Sequence, residues 1–237
     1  MPKILGIIPA RGGSKSIPRK NIKIFCGKPL MVWKIESAIK SGIFERIIVS
    51  TDDQEIADIA KKFGAEVPFI RPAEFALDAT PTITVIRHAL LWLREKENYE
   101  PDVVMLLEPT TPAVQPFHIK EALGIFLKTG ADSVVSIVDV PTAYNPYWQF
   151  IMSDDGRLSL FTGSPIGQII GRRQDLPKTY HRNSALYVFK PQLALGPDPS
   201  LYGDNIYAYK MDLKYSSDID TLEDWIEAEN KMRIILE

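Results

Sequence analysis

The chain has 237 residues, 45% of them hydrophobic and 24% charged, with 28 lysines and arginines against 30 acidic residues and a formal net charge of −2. That length suits one substantial core, and the near balance of charge gives no global attraction to nucleic acid or to an anionic membrane surface. The single cysteine, Cys26, excludes an intrachain disulfide and a cysteine-rich metal site, and no apolar run approaches the roughly 20 residues that span a bilayer.

An apolar stretch follows Met-Pro-Lys directly, which leaves no room for a signal peptide, so a single cytoplasmic domain over 1–237 is expected. Residues 4–8 are a short apolar run ending in the polar loop 9–21, the pattern of a buried strand. Over 30–39, Leu30, Val32, Trp33, Ile35 and Ala38 follow a helical period. Arg46–Ser50 reads as a second buried strand, broken by Thr51-Asp52-Asp53, and either aspartate suits the cap of a helix carrying Ile56, Ile59 and Ala60. Asp52 is equally suited, at a strand end, to binding nucleotide or metal. A third short strand is expected at 66–70. Thr80 and Pro81 fit the N-cap and first position of a helix that puts Val85, Ala89 and Trp92 on one face.

Val103–Leu107 is another continuous apolar strand, followed by a helix near 116–128 and a strand at 133–138. Residues 141–182 then interrupt the alternation. Tyr144, Tyr147, Trp148, Phe150 and Phe161 are dense there, and Asp154-Asp155-Gly156 reads as a hairpin turn. The expectation is an inserted β-rich lobe that covers the site or makes a homodimer contact. Strands at 184–189 and 206–211 and a helix at 221–235 complete the chain.

Alternating helices and near-continuous apolar strands predict an α/β fold, a mostly parallel, Rossmann-like nucleotide-binding sheet with helices on both faces. Ligands of such sheets sit at the carboxyl ends of the strands. The opening loop and residues 50–53, 108–112 and 139–145 all fall there, so they should converge in one cleft.

Residues 8–21, Ile-Pro-Ala-Arg-Gly-Gly-Ser-Lys-Ser-Ile-Pro-Arg-Lys-Asn, carry the chemistry. Arg11, Lys15, Arg19 and Lys20 place four positive charges in ten residues. Gly12 and Gly13 let the backbone approach an anion closely. The stretch has neither the G-x-x-x-x-G-K-[ST] nor the G-x-G-x-x-G spacing, so it predicts a polyphosphate ligand held by a different loop. His88, His118 and His181 are dispersed and form no triad or metal cluster; His88 and Cys26 read as packing residues.

The loop resembles the signature of the CMP-sialic acid synthetases, the acylneuraminate cytidylyltransferases, together with their legionaminic and pseudaminic acid relatives. The likeness continues in order through Ile48-Val-Ser-Thr-Asp52, Arg71-Pro-Ala-Glu74, Leu106-Leu-Glu-Pro-Thr-Thr-Pro112, Arg173-Gln174, Arg182-Asn183 and Asp218-Ile-Asp220. It implies a nucleotide-diphospho-sugar transferase fold and transfer of CMP from CTP to an acidic sugar acceptor, with release of pyrophosphate. By resemblance, Arg11, Ser14, Lys15 and Lys20 hold the triphosphate, and Asn21 and Arg71 read cytosine. The nucleotide site then comprises Ala10, Arg11, Gly12, Gly13, Ser14, Lys15, Lys20, Asn21, Arg71, Thr80 and Thr82. Asn21 is otherwise a turn cap, and Arg71 otherwise an ion pair with Glu74.

The resemblance also assigns Mg²⁺ to Asp218 and Asp220, which share a face if the segment is extended. Both also suit the N-terminus of the last helix. The family pattern puts Arg173, Arg182 and Asn183 at the sugar, where a guanidinium can bind a carboxylate bidentately, and Gln174 and Tyr180 are suited to contact its hydroxyls; Arg172 competes with Arg173 for the inward position. The family's usual glutamine and arginine are here Glu108 and Val114. A carboxylate at 108 favours a hydroxyl or amine donor and leaves the acceptor open among acidic sugars. A phosphonate acceptor and a catalytically silent nucleotide-binding relative are the rival readings. The proton acceptor for the attacking hydroxyl is open between Asp220 and a metal-bound hydroxide.

Overall fold

A computed structural model describes residues 2–237. The apolar run after the amino terminus becomes β1 (Ile4–Pro9), whose alternation serves two cores. Ile4 and Ile8 face one layer of helices, while Leu5 and Ile7 face the other. A small hairpin, β2 (Ile24–Phe25) and β3 (Lys28–Pro29), turns at Cys26-Gly27 with φ of 45° and 90°. Positive φ at both turn residues matches the twist of tight hairpins.

Helix α1 (Leu30–Ser41) leads to β4 (Arg46–Ser50) and α2 (Gln54–Lys62). Asp53 caps α2, its side chain accepting from the Ile56 amide. The expected strand at 66–70 is only a pair of isolated bridges, Ile48 to Glu66 and Thr51 to Ile70. Pro68 lacks the N–H that a ladder needs. Helix α3 (Thr82–Glu97) starts one residue later than Thr80-Pro81 suggests. Pro81 is the N-cap and Thr80 makes no cap bond, its hydroxyl donating instead to the Glu74 carbonyl at 3.4 Å.

β5 (Val103–Leu107), α4 (Pro116–Thr129) and β6 (Ser133–Asp139) follow. The segment after β6 holds four single-turn 3₁₀ segments and a hairpin, β7 (Phe150–Met152) and β8 (Leu158–Leu160), closed by Gly156 at φ 83°. Phe150, Ile151, Met152, Leu158, Phe161 and Ile166 are exposed on it. β9 (Tyr180–Phe189), α5 (Pro191–Leu195), β10 (Ile206–Lys210) and α6 (Leu222–Leu236) close the chain.

Sheet order is β10-β6-β9-β5-β1-β4. Every pairing is parallel except those of β9, which runs antiparallel to β5 and β6. The sheet is therefore mostly parallel, with helices on both faces. α1, α2 and α4 pack on one face and α3 and α5 on the other, while α6 covers the end of α1 around Phe25, Ile219 and Trp225. Reversal of β9 puts its first residues at the same edge as the carboxyl ends of the other five strands. No helix among the described residues is long and apolar enough to cross a membrane.

Candidate active site

A cleft of about 710 Å³ opens along that edge. Its lining includes Arg11, Ser14, Lys15, Lys20 and Asn21 from the opening loop, Arg71, Thr80 and Thr82, Glu108 and Thr110, Arg182, and Asp218 and Asp220. The opening loop and residues 108–110 do converge there, but residues 50–53 stand outside the lining and Asp139 and Asn145 line a separate cavity.

Two aspartates brace the opening loop from behind. Gly12 donates its amide to Asp52 Oδ1 at 3.0 Å, and a Cβ on Gly12 would stand 2.8 Å from Asp53 Oδ2. Gly12 is thus required by the approach of α2, whereas the space beside Gly13 is open. Ala10 faces away from a ligand through its amide, which extends the sheet by donating to the Ser50 carbonyl at 2.9 Å. Arg19, in a left-handed conformation at φ 58°, is committed to Asp53 and Glu55. Its charge therefore fixes the loop to α2, and of the loop's four cations Arg11, Lys15 and Lys20 line the cleft.

Arg71 is buried, and its partner is Asp52, with Nη2 3.6 Å from Oδ1, and not Glu74. Its Nε has no hydrogen-bond partner, and burial pulls the guanidinium below its ordinary value. Asn21 is also buried. Its Nδ2 donates to the Arg11 carbonyl at 3.0 Å, and its Oδ1 has no partner among the described residues. Both residues line the cleft, Arg71 with one donor and Asn21 with one acceptor unpaired among the described residues, a complementary pair of the kind a heterocyclic amide ligand would satisfy.

Across the sheet, Ile219 is buried and its amide donates to the Thr110 carbonyl at 3.0 Å. Asp218 and Asp220, one residue to either side, both reach the cleft. Neither caps α6: Thr221 does so, in a capping box with Asp224. Lys20 joins the two halves, its ammonium donating to the Ile219 carbonyl at 2.6 Å and to Asp220 Oδ1 at 3.1 Å. Desolvation pushes the Asp218 carboxyl up, with the negative charge of Asp220 adding to it and the Thr110 and Ser184 hydroxyls opposing. No cluster of three or more His, Cys, Asp or Glu side chains suited to a metal occurs among the described residues. Two carboxylates that flank Ile219 and both line the cleft still fit Mg²⁺, which completes its shell with water and phosphate oxygens.

Glu108 follows β5 and lines the cleft between β1 and the start of β9. Behind it lies Lys34, wholly buried on α1, donating to Thr111 Oγ1 at 2.9 Å and to the Ala185 carbonyl at 3.3 Å. Burial brings Lys34 down to about 7 against the pull of Glu108 and Asp218. Burial pushes Glu108 up to about 7, with Asp218 adding and Lys34 opposing. A hidden cation thus moderates an acidic cleft floor. Lys34 was detectable in the sequence, since it falls between Leu30 and Ala38 at helical spacing on a buried face.

The other predicted acceptor residues separate. Arg182 lines the cleft and donates to the Tyr202 hydroxyl at 3.2 Å. Asn183 is buried, donating to Met211 Sδ at 3.4 Å and accepting from the Ala185 amide. Tyr180 lies outside the cleft lining, its ring 5.3 Å from Lys210 Nζ. Arg173 and Gln174 line a separate cavity of about 340 Å³ with Asp139, Asn145 and Lys178. The long excursion between β6 and β9 carries them away. Ser184 and Tyr187, which the sequence reading missed, line the cleft instead. Ser184 sits at φ 56° where the β6–β9 register shifts, and such bulges re-aim side chains next to sites.

A family profile described as "Cytidylyltransferase" matches residues 5–225. The chain is 33% identical over 222 residues to a pseudaminic acid cytidylyltransferase of Campylobacter jejuni, covering 94% of this chain and 93% of that one. It is 32% identical over 233 residues to the CMP-N,N'-diacetyllegionaminic acid synthase of Legionella pneumophila, covering 98% and 97%. An N-acylneuraminate cytidylyltransferase of Streptococcus agalactiae is 32% identical over 226 residues, 94% of this chain but 52% of that longer protein. Among solved structures, a CMP:2-keto-3-deoxy-manno-octonic acid synthetase complexed with CTP superposes with a TM-score of 0.68 at 17% identity, covering 98% of both chains. At that identity it supports the fold alone, a mostly parallel α/β sheet. A profile spanning nearly the whole chain and relatives above 30% identity agree with the cleft: the chain belongs to the cytidylyltransferase family of CMP-sialic acid synthetases and their relatives.

Proposed function

We propose that this cytidylyltransferase transfers CMP from CTP to the anomeric hydroxyl of an acidic, nonulosonic-type sugar and releases pyrophosphate. The observation that carries this reading is the single cleft in which loop cations and a pair of aspartates meet, tied together by Lys20. The curated relatives act on pseudaminic, legionaminic and neuraminic acids by name.

The acceptor oxygen forms a bond to the α-phosphorus, and the bond from that phosphorus to the bridging oxygen of the β-phosphate breaks. Arg11, Lys15 and Lys20 meet the charge that moves onto pyrophosphate, where fixed cations act most strongly. Asn21 and Arg71 read the base. Arg182, on the far side of Glu108 from the opening loop, pairs with the sugar carboxylate. Asp220, or a hydroxide on the metal it would hold, accepts the hydroxyl proton in this reading, and Glu108 lines the same cleft. Asp218 and Asp220 would hold Mg²⁺, which supplies charge neutralisation on phosphate oxygens when bound.

The protein acts in the cytoplasm as a homodimer in this reading. The exposed apolar side chains of the β7–β8 hairpin form its contact. Arg173 and Gln174, outside the cleft of their own chain, then serve the sugar site of the second copy.

A pyrophosphate-release screen tests the reading, pairing CTP, ATP, GTP or UTP with pseudaminic, legionaminic and N-acetylneuraminic acids and with a phosphonate acceptor. Turnover with CTP and a sugar acid is expected. Activity only with the phosphonate would overturn the acceptor class, and tight CTP binding without turnover would make the chain a silent binder.

A further inference from the structure

The segment 72–81 lines the cleft through Phe75, Leu77, Asp78 and Thr80, and it carries an acidic residue that no phosphate site needs. The two oxygens of Asp78 are divided between two cations, Oδ1 on the Arg11 guanidinium and Oδ2 on the Lys15 ammonium. Among the described residues neither cation has another acidic partner. Lys15 most strongly, then Arg11, holds the Asp78 carboxyl below the usual range. A bridging carboxylate with one oxygen on each cation reproduces what two oxygens of a phosphate would do there.

Asp78 is also placed to move. Its own amide and carbonyl make no backbone hydrogen bond among the described residues, and the bonds nearby close short turns, Ala76 N–H to Ala73 and Thr80 N–H to Leu77. Both ion pairs are open to solvent, the Asp78 side chain being 38% exposed. Pairs of that kind are weak, so a more highly charged anion displaces the carboxylate readily.

We propose that Asp78 is an internal counter-ion: the triphosphate of the incoming nucleotide displaces it from Arg11 and Lys15, and it returns to them as pyrophosphate leaves. The inference rests on the reading of Arg11 and Lys15 as triphosphate cations. It gives the segment 72–81 a part in the catalytic cycle, keeping the cations in place while the site is empty and competing with the product for them. The cost falls on substrate and product alike, and the benefit is a faster departure of pyrophosphate.

The test is titration calorimetry on wild type and Asp78→Asn, with CTP, CMP, pyrophosphate and inorganic tripolyphosphate as ligands. Removing the competitor should tighten CTP, pyrophosphate and tripolyphosphate by about three- to tenfold, the range expected for weak exposed ion pairs. CMP, which does not reach Arg11 and Lys15, should bind as before. Glu74→Gln, an exposed acidic residue of the same segment, should leave all four affinities near wild type. Unchanged or weaker tripolyphosphate binding in Asp78→Asn would overturn the proposal. So would an equal gain for CMP, or an equal gain in Glu74→Gln, since either would mark a general charge effect. If Asp78→Asn tightens tripolyphosphate while no nucleotide and sugar acid turn over, the counter-ion stands and the transferase reading falls. Normal turnover with unmoved affinities removes the counter-ion alone.

Discussion

Replacing Lys20 with methionine separates catalysis from folding, because the methionine keeps the apolar stem and loses only the ammonium. The Lys20 side chain is 14% exposed and spans two segments 199 residues apart, at 2.6 Å from the Ile219 carbonyl. That charged hydrogen bond contributes about 1.5–3 kcal/mol at most. Its pairing with Asp220, whose side chain is 75% exposed, adds little more, on the order of 0–1 kcal/mol. In a chain of this size about 1 kcal/mol moves the melting temperature by roughly 2–4 °C, so the ceiling of about 4 kcal/mol corresponds to a loss of about 8–16 °C. Turnover should fall much further. A fixed cation facing charge that develops in the transition state contributes on the order of 10²–10³ in kcat. The assay is pyrophosphate release at saturating CTP and acceptor, beside a thermal melt of the same preparation. Near-normal release from a folded Lys20→Met variant would refute the assignment, and a turnover loss that vanishes on cooling would reduce Lys20 to a structural tie.

Chelation by EDTA should stop pyrophosphate release and added Mg²⁺ restore it, with Asp218→Asn shifting the Mg²⁺ titration to higher concentration; indifference to chelator would remove the metal from Asp218 and Asp220. His118 is buried, accepts from the Gln115 amide at 2.9 Å through Nδ1, and is lowered by burial to about 4. Its folded value lies below its unfolded one of about 6.5, so the unfolded chain binds the extra proton and stability is lost as pH falls from about 6.5 to 4. Thermal melts across that window should show a steeper acid loss in wild type than in His118→Asn, and parallel curves would contradict this. Light scattering should give a dimer at working concentration, with Ile151→Glu driving it toward monomer; a fully active monomer would reject the shared sugar site.

Much of the site was legible because its residues sit where strands end. Arg11, Lys15, Lys20 and Asn21 follow β1, so local patterning brings them to the sheet edge, whereas Asp218 and Asp220 suit a helix start equally well and only the family resemblance assigned them to the site. The α/β alternation was equally local, with strand and helix periods read directly from apolar spacing. Where the structure departs from these expectations, the partners lie elsewhere in the fold. Arg173 and Gln174 belong to the same ordered motif as Arg182, yet the excursion before β9 carries them to another cavity. Asn183 follows Arg182 directly and turns to Met211 because neighbours on a strand face opposite ways. Thr80-Pro81 has the chemistry of a helix start, but the chain enters the helix one residue later.

What the sequence by itself determined is the nucleotide half: a cation-rich loop at a strand end, a mostly parallel sheet, and a pair of aspartates. The loop and the sheet follow from short-range patterns that any folded context preserves, and the aspartate pair from the ordered likeness to the family. Only the tertiary structure decided how those parts are tied. Arg19 is committed to α2 and Lys20 to the Ile219 carbonyl, Asp78 is seated between Arg11 and Lys15, and Lys34 lies buried behind Glu108. Each is a contact between residues far apart in the chain. Charge and hydrogen-bonding capacity can be read from a residue's identity, but its partner depends on which segments the sheet order brings together.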